Sequence, residues 1–322
     1  MDTLLIIGNG FDLAHGLPTS YKHFIEAFIN KLAANPHDFP ELITPYAETL
    51  DSEGFKTYLD NHLYKNKFLK LLISDYSEKN WCDIEDLYFK ELTSMKNSTH
   101  IQSLNKDFSR IKYELETYLS NLNWKPPGHS YFKRILKPED FTDKLTILNF
   151  NYTDYYTDYV ELGRTQVINI HGSLGSKDNP MIFGYAATEA QIKEYREFDN
   201  EYMRNIKRTN YKFSGKYDDL LEVMETDFQY GLRVFILGHS CGPSDRLILS
   251  QIFNNPKVKW IEIAYFNKEA FFNQVVNIEN LLEQEEYFNK IVPFNRSLRM
   301  PQIGEGENYE QTLSSFFENR RR

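Results

Sequence analysis

The chain opens on a short, wholly apolar run, Leu4-Leu5-Ile6-Ile7, that stops at Gly8-Asn9-Gly10 and leads through Gly16-Leu17-Pro18 into a helical pattern. That pattern has a candidate N-cap at Thr19 or Ser20 and carries Phe24, Ala27, Phe28 and Leu32 on one face. No other feature narrows the fold as much. An apolar run without polar alternation reads as a strand buried on both faces, the state of a strand in a parallel sheet covered by helices. Glycine at its carboxyl end lets the backbone turn sharply and approach an anion, and the helix that follows offers unpaired N–H groups. The match to the dinucleotide fingerprint is imperfect, because the third glycine falls at Gly16 rather than three residues after Gly10.

Downstream, the chain changes rhythm twice. From about residue 35 to 127 there is no convincing strand. Ile101, Leu104, Phe108, Ile111, Leu115, Tyr118 and Leu122 alternate spacings of three and four, an a/d seam that predicts a helix lying along another. A second helix carries Ile84, Leu87, Tyr88, Leu92 and Met95, and Trp124-Lys125-Pro126-Pro127-Gly128 breaks the helical block. From Leu145 short apolar runs return at Leu145–Phe150, Val167–Ile170, Met181–Phe183, Arg233–Leu237 and Lys259–Ala264. Helical patterns at Glu189–Lys207, Tyr217–Tyr230, Asp245–Asn254 and Lys268–Asn289 separate several of them. This alternation predicts an α/β, Rossmann-type, mainly parallel sheet with helices on both faces and an inserted helical domain. The expected boundaries are 1–34 and 128–300 for the sheet domain, 35–127 for the insertion and 301–322 for a C-terminal helix or tail ending in Arg320-Arg321-Arg322.

Composition removes several function classes. A net charge of −9 argues against a general affinity for nucleic-acid phosphate. Two cysteines, Cys82 and Cys241, make neither a disulfide framework nor a four-cysteine zinc site, and the histidines show no metal-ligand spacing. No apolar run approaches the roughly 18 residues of a membrane span, and the first run is too short for a signal peptide. The expectation is a reduced, cytoplasmic, soluble protein. With 24 Phe and 22 Tyr against 15 Gly, its core should be built on rings.

Two further segments fall where a doubly wound sheet places its chemistry, just past strand ends. Asn151 follows the strand Leu145–Phe150, and His171-Gly172-Ser173 follows Val167–Ile170. A turn residue and a core histidine are the plain readings of the two. The order Gly8-x-Gly10-x5-Gly16-Leu17-Pro18, Asn151-Tyr152, His171-Gly172-Ser173, Phe183-Gly184 and Gly238-His239-Ser240 resembles the motif order of the sirtuin-like NAD-binding fold. The wording around Gly8 to Thr19, with Asn149-Phe150-Asn151-Tyr152-Thr153, Ile170-His171-Gly172 and Gly238-His239-Ser240, resembles the AbiH family of bacteriophage abortive-infection proteins, as does the cluster Trp81, Asp83 and Glu85. The chain departs from sirtuin deacetylases in lacking the four-cysteine zinc module. It also has Thr19-Ser20-Tyr21 where they carry Asp-Phe-Arg, and Thr153 followed by Asp154 where they carry an acid two residues after the Asn.

The resemblance implies a defence NADase in abortive infection, with NAD as substrate and no metal. Breaking the nicotinamide–ribose bond expels a neutral leaving group through an oxocarbenium-like transition state. Asn151 suits orientation, because an amide donates and accepts without adding charge. His171 suits proton acceptance near neutral pH. Gly8, Asn9, Gly10, Phe11, Asp12 and Pro18 form the expected nucleotide loop, with Gly238, Ser240 and Asp245 as further contacts. The alternative is a non-catalytic nucleotide-binding sensor. A toxic activity implies restraint by a phage-derived trigger, a defence partner protein or homo-oligomerisation. A remoter rival is a serine hydrolase, since Gly238-His239-Ser240-Cys241-Gly242 has the form of a nucleophile elbow. That fold takes its histidine from downstream of the serine, and the last histidine here is His239.

Overall fold

The computed structural model describes residues 1–43, 54, 66–73, 81–123, 144–158, 165–226, 228 and 231–303. The chain runs through β1 (Asp2–Ile7), α1 (Asn9–Ala14), α2 (Tyr21–Ala34), α3 (Lys67–Ile73), α4 (Trp81–Ser94) and α5 (Ser98–Ser120). It continues through β2 (Leu145–Asn149), β3 (Gln166–Asn169), α6 (Glu189–Phe198), α7 (Lys207–Ser214) and α8 (Lys216–Thr226). It then forms β4 (Leu232–Leu237), α9 (Arg246–Phe253), β5 (Val258–Ala264) and α10 (Lys268–Glu279).

The five strands make one all-parallel sheet in the order β3-β2-β1-β4-β5. Every residue of β1 and β2 is buried, the polar Asp2, Thr3, Thr146 and Asn149 included, so both faces of the sheet centre are covered, as the apolar runs within these strands predict. The first strand is central. The chain builds outward on one side through β2 and β3, then on the other through β4 and β5, so the switch point lies beside β1. Ile7 is level with Asn149 and Leu237, Asn149 with Asn169, and Leu237 with Ala264. All five carboxyl ends therefore reach one edge. Beneath that edge Leu5, Ile7, Phe11, Ile147, Tyr156, Phe235 and Leu237 pack into one buried cluster.

The chain divides into two compact units. Residues 1–17, 123–181 and 211–322 hold the sheet, and 18–122 with 182–210 form a helical unit. The expected boundaries gave α2 and residues 182–210 to the sheet domain; here both lie with the helices. Packing explains it: Phe24 of α2 meets Tyr118, Phe183 stacks on Phe108, and Tyr185 stacks on Phe89. Ser20 caps α2 by accepting from the His23 N–H in a capping box. The seam of α5 is buried at Ile101, Leu104, Phe108, Ile111 and Leu115, and α2, α3 and α4 fill it within the unit.

Several elements differ from the sequence reading, among them the pattern Lys268–Asn289, where α10 stops at Glu279 and a separate 3-10 turn spans Glu285–Lys290. Met181–Phe183 is buried but forms no strand; the nearest pairing is an isolated bridge between Tyr185 and Ile206. A short apolar run marks burial, and nothing in it distinguishes a ladder from a packed loop. The pattern Glu189–Lys207 is not one helix. Asp199 adopts an extended conformation and caps the Glu201 N–H at 2.8 Å, ending α6 and starting a 3-10 turn. The breaker at 124–128 and the tail beyond residue 303 lie outside the described residues.

Candidate functional site

The glycine loop is closed against the end of β4. Gly8 N–H donates to Leu237 O at 2.9 Å, Gly10 N–H to Gly238 O at 2.8 Å, and Phe11 N–H back to Gly8 O at 2.9 Å. A Cβ on Gly8 would lie 2.5 Å from His239 Cα, and one on Gly10 2.8 Å from Gly238 Cα. Both glycines are needed for main chain to pack on main chain. Asn9 and Gly10 are half-buried at the start of α1, and Phe11 is in the core. Pro18 falls in the helical unit, where its carbonyl accepts from Tyr118 Oη at 2.7 Å.

Beyond β2 the chain folds around Asn149, a residue whose role the sequence reading missed. Its Nδ2 donates to Asn151 O at 3.1 Å, Thr153 O at 2.9 Å and Asn169 Oδ1 at 3.0 Å, and its Oδ1 accepts from Asn151 N–H at 3.0 Å. This Asx turn aims Asn151 and Thr153 at α1. Asn151 Nδ2 donates to Asp12 Oδ1 at 3.0 Å and to Gly8 O at 3.2 Å, while Thr153 Oγ1 donates to Asp12 Oδ2 at 2.5 Å. The Asn-x-Asn spacing after a strand was the available signal for the turn.

His171 and Asp245, from loops after β3 and β4, meet directly. His171 Nε2 lies 2.9 Å from Asp245 Oδ1, and His239 Nε2 lies 3.3 Å from Asp245 Oδ2. His239, also missed, has a defined tautomer. Its Nδ1 accepts the Cys241 N–H at 3.0 Å, so when neutral it carries its proton on Nε2, facing the carboxylate. Gln274 Nε2 holds the His239 carbonyl at 2.7 Å, and the Phe150 ring packs edge-on to His171 and against His239. Both histidines and Asp245 are buried. Ser240 is exposed and meets no histidine, since both nitrogens of its neighbour His239 are engaged elsewhere. Burial, with Asp245 nearby, pushes the Cys241 thiol far up. The Gly-His-Ser-Cys-Gly segment therefore builds no nucleophile.

A model of the family described as Bacteriophage abortive infection AbiH matches residues 4–267. The chain belongs to the AbiH family. No curated protein matches it. The match spans the glycine loop, the Asn149–Thr153 turn, His171 and Asp245, and membership implies a role in phage abortive infection. Among the described residues of this AbiH chain, no helix is long and apolar enough to cross a membrane, and no group of three or more His, Cys, Asp or Glu is placed to hold a metal.

Burial is the dominant electrostatic fact in the AbiH site. It lifts the Asp12 carboxyl to about 7; the hydrogen bonds from Thr153 and Asn151 pull it down less, and Asp154 adds to the rise. His15, one turn along, is lowered to about 4 by burial, so its Nδ1–H donates to Phe11 O at 2.7 Å as a neutral core histidine. The Asp12 shift carries a stability sign. Between the unfolded value near 3.8 and about 7, the folded state binds more protons than the unfolded one. Stability therefore falls as pH rises through that window, by on the order of 4 kcal/mol in total, and levels off above it. Asp12→Asn should flatten this dependence. Urea unfolding at pH 5 and pH 8 checks it, and equal pH slopes in the two proteins would contradict it.

Glu85, from the cluster that resembles the AbiH family, sits in the helical unit. Its Oε2 accepts from Lys207 Nζ at 2.8 Å and its Oε1 from Gly184 N–H at 3.3 Å, with both charged residues buried. Removing one partner leaves a buried charge uncompensated. Glu85→Gln should thus lower stability by about 3 kcal/mol or more in chemical denaturation. The side chains of Trp81 and Asp83 lie outside the described residues.

Proposed function

We propose that this AbiH protein hydrolyses the nicotinamide–ribose bond of NAD, and that loss of NAD is how it acts in abortive infection. The observation that carries the reading is the placement of a held amide, Asn151 on Asp12 and Gly8 after β1, and of a carboxylate-held imidazole, His171 on Asp245 after β4, beyond the carboxyl ends of the two strands that flank the switch point of a parallel sheet. That is where open α/β sheets bind nucleotides. The motif order shared with sirtuin-like proteins supports NAD in particular.

In this reading Asp245 accepts the Nε2 proton of neutral His171 and so fixes its tautomer, which places the lone pair on Nδ1. His171 accepts a proton from the attacking water or a ribose hydroxyl. Asn151 orients that hydroxyl. The leaving nicotinamide departs neutral, so the site needs no general acid. A phage-derived trigger or a partner protein would release the activity, since constant cleavage is toxic. Incubating the purified chain with NAD and following free nicotinamide by chromatography tests the proposal. Binding without release would instead mark the chain as a nucleotide sensor.

A further inference from the structure

The Asn151 amide has one orientation available to it. Both Nδ2 hydrogens have acceptors, Gly8 O and Asp12 Oδ1. Turned over, Oδ1 would face that carbonyl and that carboxylate, acceptor against acceptor. Asn151 is 7% exposed, and its Oδ1 accepts no hydrogen bond from the described residues yet is not among the sealed, unpaired polar atoms. Thr153 fixes the other carboxylate oxygen.

We infer that Asp12 is a positioning residue that turns the Asn151 amide so its carbonyl oxygen faces the ligand, making the site select a ligand that donates a hydroxyl there, one hydroxyl of a ribose diol. This rests on the nucleotide reading above and deepens it. The bond from Nδ2 is charge-assisted while Asp12 is ionised, and protonation weakens it. Among the described residues, the titratable groups beside Asp12 are Asp154 in the loop after β2 and the neutral His15 on α1 itself. Of these, Asp154 acts on Asp12 by its charge.

Two measurements on the full chain test this. The first is the side-chain NH2 signal of Asn151 in protein labelled with nitrogen-15 asparagine, assigned as the pair that vanishes in Asn151→Ala. It should exchange slowly with water and shift with a midpoint near neutral pH. In Asp12→Asn that titration should vanish while the melting curve stays cooperative. Rapid exchange with no pH-dependent shift in the wild type overturns the inference, whatever the protein does to NAD. The second is calorimetry with ADP-ribose and analogues lacking one hydroxyl of the terminal ribose. The wild type should bind one analogue about tenfold more weakly, the effect of one hydrogen bond, and Asp12→Asn should reduce the difference below about threefold. Undiminished discrimination in a folded Asp12→Asn protein also overturns it. A titrating Asn151 signal with no ADP-ribose binding keeps the Asp12 clamp, but refutes both the NAD reading and the hydroxyl selection built on it.

Discussion

Purified His171→Ala protein is expected to release nicotinamide from NAD at least about a hundredfold more slowly than the wild type, with its unfolding midpoint little changed. Loss of a general base is worth that much when its proton transfer belongs to the rate-limiting step. Asn151→Ala should fall by a comparable factor, because the hydroxyl it orients is then held only by the ligand's other contacts. The double variant should be little worse than either single one, since groups serving one step do not add. Truncating Asn151 also removes one of the two hydrogen bonds that steady ionised Asp12, so its unfolding curve must be measured alongside. His171→Ala leaves Asp245 in contact with His239. Near-full hydrolysis by folded His171→Ala would sink the mechanism, and a cleaving wild type would then need another base.

Gly238→Ala should destabilise the sheet unit by about 3 kcal/mol or more. The residue has φ +70°, where an L side chain is strained. Its added Cβ would also lie 2.1 Å from Phe11 N and 2.5 Å from Gly10 C. Those atoms belong to the loop whose Gly10 N–H bonds the Gly238 carbonyl, so neither side can retreat without breaking the contact between β1 and β4 at their carboxyl ends. Gly215 supplies the control. It has a similar φ of +69° with nothing within 4 Å of an added Cβ, so Gly215→Ala should show only the backbone cost, about 1 kcal/mol. Equal urea midpoints for the two variants would mean that the approach of the two loops contributes nothing.

The sequence by itself determined the class of the sheet and the edge at which the candidate site residues Asn151 and His171 lie. Leu4–Ile7, Leu145–Phe150 and Arg233–Leu237 read as buried parallel strands because a strand covered on both faces is apolar at most positions, and that demand is local. The α5 seam was legible for the same reason, since helical periodicity reports which face is buried. Asn151 and His171 could be placed at strand ends without knowing their partners. Only the tertiary structure decided those partners. Asn151 meets Asp12 across 139 residues of chain and His171 meets Asp245 across 74, and no periodicity encodes a hydrogen bond between loops so far apart. It also placed Glu85 on Lys207 within the helices, left Met181–Phe183 without a ladder, and turned the Gly8 and Gly10 N–H groups toward β4 carbonyls. A residue's own type sets what it can bond and whether it tolerates burial, whereas the neighbour it finds depends on strand order, which the rest of the chain settles on folding.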